Sequence, residues 1–249
     1  MATVSLRGLE VLETLAGMRQ PASLAAITAH LDLSEPQTFR VLTNLVDEGY
    51  IDHPGRSGYR LGSRSLALAV MIGPRPALLR IVYPALLRLA GKTGHGVVMH
   101  VRSGVDRVLL LGVPGPRDSD VDPTSLFGER SPLGVGASGR AILAALSPEL
   151  LAGVSRVDVS DSHLDAIRRR GYEMSFGENH PGINGVSVAV VIGEAVIGSL
   201  TIAGAEELLN EPNLARCADQ LTTASKDLSR RLARILGPEA SAEIDALDL

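Results

Sequence analysis

Gly136-Ala137-Ser138-Gly139 places a hydroxyl among small residues just where an apolar helical pattern begins. The unpaired N–H groups of a helix start attract negative charge, and Ser138 adds a hydroxyl donor, so the chemistry suggested is capture of a small anion. His95, His100 and His180 stand near neighbouring apolar runs and could contact the same anion. The competing chemistry is hydrolysis, with Ser138 as nucleophile and His100 or His180 as base, because a catalytic triad is defined by geometry and not by order in the chain. The tetrapeptide is one residue short of a Gly-x-Ser-x-Gly elbow, however, and no His-Glu-x-x-His, phosphate loop or dinucleotide fingerprint occurs. The expectation is a chain that is not an enzyme, with no catalytic residue, cofactor or metal site.

A second set of residues suits nucleic acid. Gln37 and Arg40 fall on the outer, N-terminal side of a short helical pattern, where an amide and a guanidinium can meet base edges or phosphates in a major groove. Ser34, Thr38 and Asn44 complete the candidate set on this helix, Thr38 also standing in its apolar stripe. Arg56, in a turn-rich segment beyond it, could reach a flanking phosphate or the minor groove. Charge does not reinforce this reading: the chain carries a formal charge of -4, and residues 1–63 hold five bases against seven acids. The DNA argument rests on pattern, against the alternative that Arg40 and Arg56 are ordinary solvated charges of a packing module.

The elements that must position these residues are legible. Leu6, Leu9, Val11, Leu12, Leu15 and Ala16 recur with helical spacing, giving a first helix with one apolar stripe that ends near Gly17. Ser23 caps a second helix carrying Leu24, Ala26, Ile27 and Leu31. After Asp32-Leu33 a third helix begins, with Ser34 as cap, Pro36 in the first turn and Gln37 at the capping-box position. Thr38, Val41, Leu42, Leu45 and Val46 form its buried side, and Gly49 suits a left-handed stop. Tyr50-Ile51 and Tyr59-Arg60-Leu61 flank His53 to Gly58 as a two-stranded hairpin, the wing of a winged helix-turn-helix.

Residues 63–80 read as a linker, opening as an apolar helix and breaking between Gly73 and Pro76. Arg64, Arg75 and Arg80 are its only charges, and the Leu66–Ile72 run calls for a partner surface, with a homodimer or a dimer of dimers preferred over packing on its own chain. From Ile81 strands and helices alternate. Val97–Val101 and Val108–Val113 read as a hairpin, helices follow at Gly139–Leu146 and around Leu164–Arg170, and Tyr172–Phe176, Val186–Ile192 and Ala195–Ile202 read as strands. A long helix from about Asn213 to Leu236 closes this part. The expected class is α+β with two domains and a mainly antiparallel sheet: residues 1–62 for DNA, 63–80 as linker, 81–238 for an effector, and 239–249 as an acidic tail.

Composition is consistent with a globular chain: 45% hydrophobic against 21% charged residues supplies a core, which argues against disorder. Cys217 is the only cysteine, so neither a disulfide framework nor a multi-cysteine zinc site can form within the chain. With no secretory-type start and no apolar run of membrane-spanning length, the cytoplasm is the expected location, with no membrane partner.

Ser23-Leu24-Ala25-Ala26-Ile27, Phe39 through Ile51, Tyr59-Arg60-Leu61-Gly62, Ser131-Pro132-Leu133, Gly139 through Ala144, Ile167 through Tyr172 and Gly177-Glu178 through Gly182 together make a chain that resembles the IclR family of bacterial regulators over nearly its whole length. Members usually carry glycine where Asp32 stands and a basic residue where Glu35 stands; Asp32 can supply the left-handed turn that glycine would. The resemblance implies a GAF-like effector domain with its pocket between the sheet and the segments around residues 103–138, taking an organic acid. Carried over residue by residue, it places Ile183, Gly185, Thr201 and Ala203 on the sheet side, with Ser175 or Glu178 beside them and Ala137 and Ser138 at the helix start. It implies operator binding modulated by that small-molecule effector. The alternative of another class is a metabolite-sensing module that acts through proteins and binds no DNA.

Overall fold

The computed structural model describes residues 4–55, 58–65, 68, 76–117, 123–154 and 158–236. Arg56, Arg75 and the 239–249 tail lie outside them, as does most of the apolar run 66–72. Residue contacts divide the chain into two compact units, Met1–Pro76 and Ala77–Leu249.

In the first unit, α1 (Val4–Gly17), α2 (Leu24–Thr28) and α3 (Glu35–Asp47) precede an antiparallel pair, β1 (Ile51–Asp52) and β2 (Arg60–Leu61). Val11, Leu15, Ala22, Ile27, Leu42, Ile51 and Tyr59 form its core. Leu6 and Leu9 depart from the single stripe expected for α1: they are 49% and 53% exposed, because the core-facing side is set by Val11 and Leu15. Ser23 accepts a hydrogen bond from the Ala26 N–H and caps α2, which ends at Thr28, before the expected Leu31. Gly49 takes the left-handed conformation expected after α3. Asp32 does not: no described residue other than glycine has positive φ.

In the second unit, a six-stranded antiparallel sheet runs β5 (Arg130–Pro132), β4 (Asp106–Val113), β3 (Gly96–Ser103), β8 (Ala195–Ala205), β7 (Ile183–Ile192), β6 (Glu173–Phe176). Helices α4 (Pro76–Thr93) and α8 (Glu211–Leu236) cover one face. Val82, Leu86 and Leu89 of α4 and Leu214, Leu221, Leu228 and Leu232 of α8 meet Val97, Met99, Val186, Val188, Leu200 and Ile202 there. The opposite face carries α5 (Gly136–Ala145) and α7 (Asp161–Arg170), whose Ile142, Leu143, Leu164 and Ile167 form a smaller core with Leu133 and Val196; the short α6 (Pro148–Ala152) follows α5. Helix α5 begins at Gly136, where the tetrapeptide Gly136–Gly139 was expected to open a helix, and β7 begins at Ile183, before the expected Val186.

Strand parity decides which side chains reach each face. Along β3 and β4, Val97 pairs with Val113 and Met99 with Leu111, all four directed to the α4/α8 core. The register then shifts between Met99 and His100, so His100 pairs with Leu109 and Leu110 is skipped. One extra residue reverses the alternation. Leu109 and Arg107 therefore face away from the core that takes Leu111 and Val113, although all four positions are odd-numbered.

Gly198 fixes the other edge of β3. A β-carbon built there would lie 1.9 Å from the His100 carbonyl oxygen, far inside contact distance. Gly198→Ala should force β8 from β3 and lower the stability of this unit by about 1–3 kcal/mol, as overpacked sites do. Denaturant unfolding followed by a probe in this unit checks it, and an unchanged midpoint contradicts the close approach.

Candidate functional site

The outward side of α3 is assembled by its cap. The Ser34 N–H and hydroxyl both donate to Gln37 Oε1, each at 3.0 Å. The Gln37 carbonyl is thus spent on the helix start, leaving its amide NH₂ to face outward. Gln37, Arg40 and Asn44 are exposed and follow one another at spacings of three and four, so they share a stripe. Ser34 is exposed at the N-terminal end of that helix. Thr38 must be withdrawn from the DNA-facing set: it is 0% exposed, and its hydroxyl donates to the Ser34 carbonyl at 3.2 Å, so it braces the first turn from inside.

Phe39, to which the residue pattern assigned no contact, is 51% exposed beside Arg40. Its only signal was an aromatic displaced from the apolar stripe. Glu35 is exposed in the first turn of α3, where an acid favours the helix dipole. Asp52 pairs with Arg60 across β1 and β2, and Glu48 takes Arg64 at 2.6 Å while Arg64 also lies over the Tyr50 ring. Arg64, one of the three linker charges counted in the sequence, is therefore engaged locally.

On the far face of the sheet in the second unit lies a cavity of about 120 Å³. Seven of the eight sequence candidates line it: Ala137, Ser138, Ser175, Ile183, Gly185, Thr201 and Ala203. Glu178 does not. Its carboxylate is clasped by Arg140, with Nη1 to Oε2 at 2.6 Å and Nη2 to Oε1 at 2.7 Å, and it accepts the Gly136 N–H at 3.3 Å. The helix start expected to receive a ligand anion thus already holds a protein carboxylate.

Arg140 continues inward. Its Nε donates to Glu173, 3.3 Å away, and Glu173 is also approached by His163 at 3.2 Å and Arg170 at 2.5 Å. Glu173 is only 3% exposed, so three cationic or polar neighbours offset its desolvation. The network joins α5, α7 and β6 beside the cavity. In the loop after β6, Asn179 and His180 reach the cavity, and His180 lies 3.4 Å from Glu129, another lining residue.

The polar groups on the cavity wall differ from the set read in the sequence. Thr201 exchanges a hydrogen bond with Ser187 at 2.9 Å, and Ser187 donates to the Leu200 carbonyl. With the Ser187 proton committed, Thr201 donates to Ser187 and offers the cavity only an acceptor. Arg107, absent from that set, lines the wall while being 1% exposed. It donates through Nη1 to the Pro132 carbonyl, and its Nε has no hydrogen-bond partner. Burial pulls its pKa down to about 10, opposed by nearby Glu129, so it stays cationic at neutral pH. Burial, then Arg107 and then His180, lowers His100 to about 3 and keeps it neutral, with Nδ1 unpartnered. A general base needs its second ring nitrogen held by an orienting group, and that unpartnered Nδ1 departs from a serine-histidine triad. Among the described residues no three His, Cys, Asp or Glu side chains cluster to hold a metal. No described helix is long and apolar enough to cross a membrane.

A helix-turn-helix unit with a wing, followed by an α+β unit with a cavity on one face of its sheet, is the architecture of a bacterial transcription regulator. Residues 6–55 match the IclR helix-turn-helix domain, and residues 75–230 match the bacterial transcriptional regulator IclR C-terminal domain. The chain belongs to the IclR family, whose members are regulators of transcription and not enzymes. It is 24% identical to the HTH-type transcriptional repressor AllR of Salmonella typhi, over 91% of this chain and 88% of that one. It is 21% identical to the HTH-type transcriptional regulator KipR of Bacillus subtilis, over 84% and 89%. Among solved structures, Thermotoga maritima IclR has 20% identity and a TM-score of 0.69, covering 92% of this chain and 98% of its own. An IclR homologue from Microbacterium hydrocarbonoxydans complexed with 4-hydroxybenzoate has 20% identity and a TM-score of 0.63, over 92% and 99%.

The Arg140 clasp gives Glu178 a pKa below the usual carboxylate value, mainly through their hydrogen bonds and against the effect of burial. A carboxyl depressed in the folded state adds stability that is present above its unfolded value and lost as pH falls through the folded one. Between about pH 5 and about pH 3, the unfolding midpoint of the wild-type chain should therefore fall more steeply than that of Glu178→Gln. Parallel curves for the two proteins contradict the clasp.

Proposed function

We propose that the chain is a transcriptional repressor that binds operator DNA through its first unit and releases or grips it according to a small organic acid in the cavity of its second. The observation that carries this reading is the exposed stripe of Gln37, Arg40 and Asn44 on a helix whose other side is buried. A helix so disposed fits a major groove, with Arg40 suited to guanine or phosphate, the Gln37 amide to a base acceptor, and Phe39 to a thymine methyl. Ser34 at the helix start suits a phosphate, and Arg56 in the wing a flanking phosphate or the minor groove. The repressor names of the AllR relatives favour repression, and the 4-hydroxybenzoate complex of a structural neighbour favours an organic acid as effector.

The division of labour follows: residues 1–62 bind DNA, 63–80 connect, and 81–238 sense the acid through Ala137, Ser138, Ser175, Ile183, Gly185, Thr201 and Ala203, with Glu178 holding the helix start. Two copies of the chain place two α3 helices on half-sites one helical turn or a multiple apart. The acid binds one arrangement of the effector unit better than another and shifts their relative populations, since a ligand moves an equilibrium only by differential affinity.

Gel-shift titration against the DNA upstream of its own gene tests the reading. Arg40→Ala should weaken retention about tenfold and reduce the slope of log affinity against log salt by about one, as loss of one phosphate contact does. Wild-type protein that leaves this DNA unretarded at low salt contradicts operator binding.

A further inference from the structure

We infer that the negative charge of the cavity's ligand is taken by Arg107 on β4, not by the N-terminus of α5, and that Arg107 selects a monocarboxylate with an apolar body. This rests on the reading of the cavity as the effector site and assigns the residue that reads the effector's charge.

Four observations converge. Arg107 is a cation removed from water, with Nε unpartnered and no described carboxylate within ion-pair distance. Glu129 on the same wall supports this charge only from beyond ion-pair distance, so much of the guanidinium's desolvation cost stays unmet, and a bound carboxylate accepting two parallel N–H bonds would meet it. The rival anion site is occupied: Glu178 already accepts the Gly136 N–H and would repel a second carboxylate there. His100, beside Arg107 on the same wall, also leaves Nδ1 unpartnered, so a neutral imidazole is free to donate to a ligand oxygen.

The rest of the wall limits the ligand. Val98, Leu109, Pro123, Leu126, Ile183 and Ala203 give it an apolar body, and a volume near 120 Å³ is of the order of an apolar cavity of about 150 Å³ that holds benzene. Glu129, with His180, is the acidic group on the wall, so a second carboxylate on the ligand would meet like charge or apolar surface. A compact acid with one negative end fits, and a dianion of the same frame does not.

Calorimetric titration of the full-length chain with benzoate, benzamide and phthalate, and with the smaller pair isobutyrate and isobutyramide, tests this. Wild type should bind at least one of the two monocarboxylates about tenfold or more tightly than its amide, and phthalate more weakly than benzoate. Arg107→Gln should lose about tenfold or more of the acid affinity and with it the acid-over-amide preference. Arg107→Lys, which keeps charge but not the fork, should retain the preference at reduced affinity and serves if the glutamine variant does not fold. Equal binding of acid and amide, no binding by either acid, or undiminished acid affinity in the variants overturns the inference. Gel shift on the same preparations separates the two levels: retained DNA binding with an indifferent Arg107 sinks this assignment alone, whereas loss of DNA binding by wild type sinks the regulator reading.

Discussion

The site in the second unit depends on one skipped residue. Because β3 and β4 lose register between Met99 and His100, the alternation of side chains reverses in mid-strand. Above the shift, Leu111 and Val113 pack with α4 and α8; below it, Leu109 and Arg107 turn to the cavity. A regular ladder would direct Arg107 into the apolar core, where a guanidinium has no place. The bulge converts that impossibility into a buried cation on a cavity wall, and Gly198 lets β8 approach closely enough to hold His100 beside it.

Around this cation the protein separates its charges. Arg140 gathers Glu173 and Glu178 on the α5 side, so the acids near the helix start are bound to arginine and to Gly136. Arg107 keeps a polar edge open. Of these carboxylates, Glu178 also occupies the first N–H of α5, that of Gly136. In the first unit the economy is similar: Asp52 and Glu48 are matched by Arg60 and Arg64, which leaves Arg40 with no acid partner among the described residues.

Much of the architecture was legible because its signals are local. The caps at Ser23 and Ser34, the stop at Gly49 and the short apolar runs of β3, β4, β7 and β8 bounded by turn residues are all local signals. The cavity residues on β7 and β8 were reached only through resemblance to a family, since nothing in the spacing of Gly185, Thr201 and Ala203 distinguishes lining from core. Arg107 escaped because a period of two cannot announce a bulge: nothing in its position just before the Val108–Val113 run marks it as lining a cavity. Thr38 was misassigned to the DNA face because a helical position satisfies two stripes until packing chooses one. Glu178 was assigned to the ligand, as an alternative to Ser175, by resemblance alone; its partner Arg140, 38 residues away in sequence, leaves no local signal.

A crystal structure of the full-length chain with benzoate bound would show which group holds the ligand's charge. The carboxylate should lie in hydrogen-bond contact with the Arg107 guanidinium, its ring against Leu109 and Ile183, with the Arg140–Glu178 clasp intact. A carboxylate seated on the N–H groups of α5, with Glu178 displaced and Arg107 untouched, would contradict the assignment to Arg107.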